Sequence, residues 1–550
     1  MRTFHLSIVI ILLLHFFVSS TVKAEDYLFQ RGVDVLHYSF QLSVSDATDQ
    51  IQCLATIQFQ LKQKGVADFF LDLANVNSSR QGKGMQIASI EMEGMPVKFL
   101  HVRDKIQISI PETKRDSGAL LTVVIQYSGY PYSGLRVGNT QFGKRSFSSD
   151  NWPNKGRHWL PLVDHPYDKA TVAFKVTAPI HYQVISNGLL QEVSVLNDSM
   201  KLTHWKQSVP VSPWLFVIGI QEYAVQYVDT FQGKSIETWV HPQNRVAGFY
   251  DFEAPTKKVL QFYTDYVGPY AYEKLANIQA PSVSGGMETA SAIFYTEKLV
   301  TGKRTDRTRQ VVIHEIAHQW FGNAVTESTW DDVWLSEGFA TYFTLLFVEN
   351  DEGRDAFVKG LQSARTTIEN YYASGKNFAI VAARSPEKEE VTSAITYQKG
   401  AWVLHMLREK IGDAAFQKGI RSYYKKYFNA NATTDQFRSE MERASGISLQ
   451  SFFNQWLLRS GIPTIQVDWQ YNASKKLLEI SLMQTNADDS VYELPVEIAV
   501  QQSNGAPIKQ KLLLQKKQDT YRIPMANAPI GLIPDPATRL LTTFRVQSAK

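Results

Sequence analysis

Cys53 is the only cysteine among 550 residues. Its isolation excludes an intramolecular disulfide framework and any zinc or iron–sulfur site built from thiolates. Histidines and carboxylates are left as the side chains able to hold a metal. Charge of one sign is also scarce. The formal net charge is +4, and no long block of like charges occurs, so nothing points to nucleic acid or to an acidic partner. Only one long apolar run exists, at the N-terminus, which excludes a polytopic membrane protein. Glycine shows no period, which excludes a collagen-like chain. Hydrophobic residues make up 44% and charged residues 20%, the balance of a folded soluble chain rather than a disordered one. At roughly 100–200 residues per domain, the length implies about three domains.

The N-terminus reads Met1-Arg2-Thr3-Phe4-His5, then an apolar stretch from Leu6 to Val18, then Val22-Lys23-Ala24. A basic start, a short apolar core and small residues before Glu25 have the form of a cleaved secretory signal at 1–24. The apolar core is shorter than the roughly 20 residues a spanning helix needs, so no stable membrane span is expected after cleavage. A lipoprotein would need a cysteine after the cleavage site, and none is there. The expected location is therefore exported, periplasmic or extracellular. Export without disulfides points to a bacterial exterior rather than an animal ectodomain. The sequons at Asn77, Asn197, Asn431 and Asn472 are of the kind that arise by chance in a long chain.

Short β runs broken by Gly, Pro, Asn and Asp fill residues 25 to about 225, as at Val33–Leu42, Ile51–Leu61, Lys105–Ile110, Leu121–Tyr127 and Thr171–Val176. This pattern predicts an all-β domain. Helical spacing takes over after about residue 245. It predicts helices over Lys257–Tyr266, Asp306–Phe321, Asp332–Val348, Arg354–Tyr371, Lys399–Ile411, Asp413–Tyr427, Thr434–Ser445 and Ser448–Leu457. Alternation returns at Thr464–Trp469, Leu477–Leu482 and Tyr492–Val500, which predicts a small β-sandwich at the end.

The chemistry is concentrated in His314-Glu315-Ile316-Ala317-His318. Histidines four apart lie on one helix face, so both imidazoles reach one Zn²⁺. Glu315 points to another side and is free to take a proton from the attacking water. Glu337, nineteen residues after His318 on the following helix, supplies a third ligand. Two His and one Glu leave a fourth position open, the catalytic rather than the structural arrangement. Asp331 and Asp332 open that second helix, where an N-terminal cap is the favoured role and a hydrogen bond from the outer nitrogen of a ligating histidine to one of them is the alternative.

This constellation, with the flanks His318-Gln319-Trp320-Phe321-Gly322-Asn323 and Trp334-Leu335-Ser336-Glu337-Gly338-Phe339-Ala340, resembles the gluzincin aminopeptidases. That is the family of membrane alanyl aminopeptidase and leukotriene hydrolase/aminopeptidase. Leu160-Pro161-Leu162-Val163-Asp164-His165-Pro166 and Phe452-Phe453-Asn454-Gln455-Trp456 resemble further segments of it, so the likeness runs from about residue 30 to 470. The resemblance implies a multidomain α+β fold: an N-terminal all-β saddle-like domain (25–228), a thermolysin-like helix-rich catalytic domain (229–461) and a small C-terminal β-sandwich (462–550). It implies one Zn²⁺ per chain, and as substrates peptides with a free N-terminus. Gly285-Gly286-Met287-Glu288-Thr289 looks like the family's Gly-X-Met-Glu-Asn motif, whose glutamate pairs with the substrate's α-ammonium. Tyr397-Gln398-Lys399-Gly400 resembles the segment whose tyrosine stabilises the oxyanion. By family analogy a zinc epoxide hydrolase is the alternative enzyme; a non-catalytic peptide-binding protein is the alternative of another class.

The sequence departs from the family pattern in three places. Thr289 stands where Asn is usual. Trp152, in Ser149-Asp150-Asn151-Trp152-Pro153, falls nearest the slot of a second acidic amine anchor, so Asp150 is the expected supplier of that carboxylate. No large C-terminal helical domain follows the β-sandwich, from which a more open cleft is expected. Cys53, in an alternating run of the first domain, reads as a buried packing residue.

Overall fold

A computed structural model describes residues 27–382, 390–486 and 490–548. The signal sequence read at 1–24 lies outside the described residues. An eight-stranded sheet dominates the N-terminal region. Its strands run in the order Leu189–Val195, Met200–Val211, Ala170–Pro179, Val33–Ser43, Ile51–Leu61, Leu120–Tyr130, Gly84–Met92, Met95–Pro96. All neighbours are antiparallel except Val33–Ser43 and Ala170–Pro179, which pair parallel across a long excursion. Alternation is the reason these segments are strands. In Ile51–Leu61 every second side chain, from Ile51 through Ala55 to Leu61, is fully buried. Cys53 belongs to that buried set, opposite Tyr127, and burial pushes its thiol up to about 12.

A mixed five-stranded sheet begins the helix-rich region, in the order Ala224–Phe231, Lys234–Val240, Lys274–Ala280, Ala292–Thr296, Gly286–Met287. Eight helices of that region are used below: α1 (Arg245–Tyr266), α2 (Asp306–His318), α3 (Trp334–Glu352), α4 (Arg354–Ala373), α5 (Gly400–Ile411), α6 (Asp413–Lys426), α7 (Thr434–Ser445) and α8 (Gln450–Leu457). Helix α1 starts twelve residues before its expected start at Lys257. Pro255 looks like a breaker, but here it makes a kink: Ala254, just before it, is forced into the extended region (φ −104°, ψ 129°) and helix continues on both sides. Two sheets follow in the C-terminal region, one of four strands and one of three. Buried apolar side chains form one continuous core through all three regions, with Trp159, Trp214, Trp320, Trp330, Trp334 and Trp402 the largest fully buried members. Among the described residues no helix is long and apolar enough to cross a membrane.

Candidate active site

Helix α2 carries the first two ligand candidates. Thr305 caps it by accepting from the Thr308 N–H, and Val312, Ile313, Ile316 and Ala317 bury its inner face. The helix ends at His318, three residues short of its expected end. The cause is Gly322 at φ +107°, which turns the chain away. A Cβ there would sit 2.3 Å from Ser336 Oγ and 3.1 Å from His318 Nδ1. The glycine therefore lets α3 approach the second histidine.

Helix α3 starts at Trp334 after a single tight turn, Trp330–Asp332. No side-chain cap bond forms at its N-terminus. This corrects the capping role expected of Asp331 and Asp332: Asp332 is turned aside and accepts from Thr434 Oγ1 of α7 at 2.6 Å. Gly338 of α3 faces Gly400 of α5 so closely that a Cβ on either would lie 3.0 Å from the other's Cα. This near-contact of two backbones puts Glu337 beside Tyr397.

His314 Nε2, His318 Nε2 and Glu337 Oε2 converge. The two imidazole nitrogens are 3.1 Å apart, and the carboxylate oxygen is 3.5 Å from His314 and 3.2 Å from His318. A tetrahedral ion with ligands at roughly 2.0–2.1 Å separates them by about 3.3 Å. His318 Nδ1 lies 3.1 Å from the carbonyl of Phe321 and 3.1 Å from Ser336 Oγ. A carbonyl only accepts, so Nδ1 carries a proton and Nε2 is aimed into the cluster. The electrostatics favour a cation here. Burial opposes a charge on His318, yet Glu288 and Glu337 outweigh it and raise the imidazole to about 10. Burial likewise opposes charge on Glu337, while His318 and His314 pull its carboxyl down to about 2. Glu337 Oε2 is buried with no hydrogen-bond partner. Donor set, spacing and field fit Zn²⁺.

Glu315 points from α2 toward the strand Gly286–Met287, buried, and is 5% exposed. A Cβ on Gly286 would lie 2.1 Å from Glu315 Oε1, so only glycine leaves room for this carboxylate. Burial holds Glu315 well above the usual carboxylate range, and the charges of Glu288 and Glu337 add to it. Gly285 sits just before this strand in open space. Gly286 and Met287 pair with Tyr295 and Phe294 at the edge of the five-stranded sheet.

Glu288 follows at once. Its Oε1 is buried without a hydrogen-bond partner, 3.9 Å from His318 Nδ1. Burial pushes this carboxyl up to about 7, helped by the charges of Glu337 and Asp150. Its backbone carbonyl accepts from Gln319 Nε2 at 2.9 Å and from Asn323 Nδ2 at 2.6 Å. Thr289 turns its hydroxyl inward to the carbonyl of Ala292, so it offers the cleft no donor. Asp150 is half-buried on the β-domain side. It accepts from Lys155 Nζ at 3.3 Å and from the Trp152 N–H at 3.3 Å. The Trp152 ring is packed edge-on between Trp214 and Trp330 at 4.8 and 5.0 Å. The aromatic residue in the acidic slot is thus a packing residue.

Tyr397 lies on a wide π-helical turn, Ile395–Lys399, that runs into α5. Its hydroxyl donates to Glu337 Oε1 at 2.8 Å and its ring stacks over His314. Lys399 pins the turn by donating to the Arg459 carbonyl at 3.0 Å and to Tyr372 Oη at 3.1 Å. A cavity of about 580 Å³ between α2, α3 and α4 opens onto His314 and Tyr397; Thr341, Leu345, Val348 and Ala364 line it. His314, His318, Glu337, Glu315 and Glu288 lie together, with Tyr397 on Glu337; Asp150 keeps to Lys155 and Trp152, Thr289 turns away, and Asp332 goes to Thr434. Gln319, Asn323 and Ser336 stand inside the flanking motifs without an assigned role, because their roles come from contacts made after folding.

Comparison with known proteins agrees with this geometry. The Peptidase M1 N-terminal domain matches residues 35–215 and the Peptidase family M1 domain matches residues 250–456. Glutamyl aminopeptidase of Rattus norvegicus is 27% identical over 467 residues, covering 81% of this chain and 49% of that protein. Probable aminopeptidase 2 of Sulfurisphaera tokodaii is 29% identical over 475 residues, covering 80% of this chain and 56% of that protein. The chain spans about half the length of the curated relatives it matches. An M1 zinc metallopeptidase from Deinococcus radiodurans superposes with a TM-score of 0.65 at 26% identity, over 78% of this chain and 94% of that one. Two domain models of one family account for most of the chain and for the whole metal cluster, and the chain belongs to peptidase family M1.

Proposed function

We propose that this chain is a zinc-dependent aminopeptidase that removes N-terminal residues from peptides. The observation that carries the reading is Glu288, a buried carboxylate with an unpartnered oxygen, set beside a ready-made zinc triad. A buried unpaired charge is costly unless a partner arrives. A substrate's α-ammonium is such a partner, and its distance from the triad limits cleavage to the first peptide bond. Asp150 is the second carboxylate offered to that amine.

His314, His318 and Glu337 would hold the zinc. When bound, the zinc polarises the scissile carbonyl and acidifies the attacking water. Glu315 takes the water's proton and passes it to the leaving amine; its burial suits a base that must also act as an acid. Tyr397 exchanges its bond to Glu337 for one to the developing oxyanion, and burial keeps the phenol protonated. The edge Gly286–Met287 offers backbone groups to the substrate chain. The cleft lined by Leu345, Val348 and Ala364 takes the rest of the peptide.

The test is turnover of an aminoacyl anilide by the purified chain. Activity is expected to vanish with a chelator and to return with Zn²⁺. Absence of turnover in the zinc-loaded chain would contradict the reading. Export to the periplasm or the exterior is part of the same proposal. The basic start and short apolar core of residues 1–24 support it, and fractionation of expressing cells tests it.

A further inference from the structure

We propose that Lys169 is a positioning residue for the amine end of the site, holding Glu288 in place from the neighbouring β domain. The inference rests on the reading of Glu288 as the amine anchor. Lys169 immediately precedes the strand Ala170–Pro179 of the eight-stranded sheet. It reaches out of that sheet to the exit of α2. There its Nζ donates to the carbonyl of Asn323 at 2.8 Å and to that of Ala324 at 3.0 Å.

Asn323 is the relay. Its N–H donates to the carbonyl of His318 at 3.1 Å, and its side-chain amide donates to the carbonyl of Glu288 at 2.6 Å. One residue thus joins a metal ligand to the anchor. Its backbone is gripped by Lys169 and by Thr326 Oγ1, which donates to the same carbonyl at 3.0 Å. The grip is needed because the chain has just turned through Gly322 at φ +107°, where no helix holds it.

Glu327 lies on the same segment, four residues beyond Asn323. It is 1% exposed, and neither carboxylate oxygen has a hydrogen-bond partner. Burial holds the Glu327 carboxyl well above the usual carboxylate range, so the grip of Lys169 on the loop rests on its hydrogen bonds. Lys169 therefore fixes the loop that carries Asn323.

The test compares zinc content, kcat and KM for an aminoacyl anilide in the full chain and in Lys169→Met, Asn323→Ala and the double variant. Lys169→Met is expected to keep its zinc, to raise KM by about tenfold or more and to change kcat by less than about threefold. If Lys169 acts through Asn323, the double variant is no worse than the worse single one. Additive effects, or a loss of zinc and kcat with KM unchanged, would overturn the proposal. Lys169→Gln, which keeps a polar head, is measured in parallel in case the methionine variant does not fold. An unchanged KM in either variant overturns the proposal too. Failure of the underlying reading looks different: the unaltered chain would then cleave N-acetylated and free peptides equally well.

Discussion

The metal end and the amine end of the site nearly touch, with His318 Nδ1 and Glu288 Oε1 3.9 Å apart, yet they are assembled differently. His314, His318 and Glu337 come from two helices consecutive in the chain, joined by a segment that turns at Gly322 and again at Trp330–Asp332. The amine end takes Glu288 from a sheet edge, Gln319 and Asn323 from the exit of α2, and Asp150 and Lys169 from another domain. Charge is handled differently as well. Two imidazoles and a carboxylate are closed by one cation. Glu288 keeps an oxygen without a partner, and the proposed function has the substrate's amine complete it. Changes at the metal end should therefore cost zinc or kcat, and changes at the amine end should cost KM.

The sharpest way to break that division is Glu315→Gln. It is expected to keep zinc and to lose about 10²–10⁴-fold in kcat, read by turnover together with zinc content. Wild-type activity in that variant would end the assignment of Glu315 as the base. Next comes Gly322→Ala, which places a Cβ 2.3 Å from Ser336 Oγ at a φ of +107°. Displacing the partner of His318 should weaken zinc binding by about 10–100-fold, measured by competition with a chelator.

Glu288→Gln should raise KM for free-amine substrates by about tenfold or more and leave zinc in place. Its pH behaviour sharpens the contrast. Burial lifts the Glu288 carboxyl to about 7, and only the ionised form pairs with an ammonium. KM should then rise as pH falls through neutrality, and in the glutamine variant that rise should disappear. The smallest effect is expected from Asp150→Ala. That carboxylate is half-buried and already has Lys155 at 3.3 Å, so KM should rise only a few-fold. An unchanged KM removes Asp150 from the anchor.

The same contrast separates what the sequence reveals from what it hides. Spacing alone places His314 and His318 on one face and Glu337 on the next helix. Alternation alone yields the first β domain, Cys53 included. The kink at Pro255 is hidden because a proline that bends a helix reads like one that ends it. The cap expected of Asp332 is displaced by Thr434, 102 residues away. Lys169 and Asn323 lie 154 residues apart, and no local pattern links them. Glu327 belongs to no motif, and its burial follows from packing that only the folded chain creates.

The central claim is that the free N-terminus is what the site measures from. The direct test is one peptide in two forms, amine free and N-acetylated, incubated with the zinc-loaded chain and followed by mass spectrometry. The free form should shorten from its N-terminus one residue at a time while the acetylated form stays intact. Cleavage of both forms at similar rates, or internal fragments from either, would contradict the account.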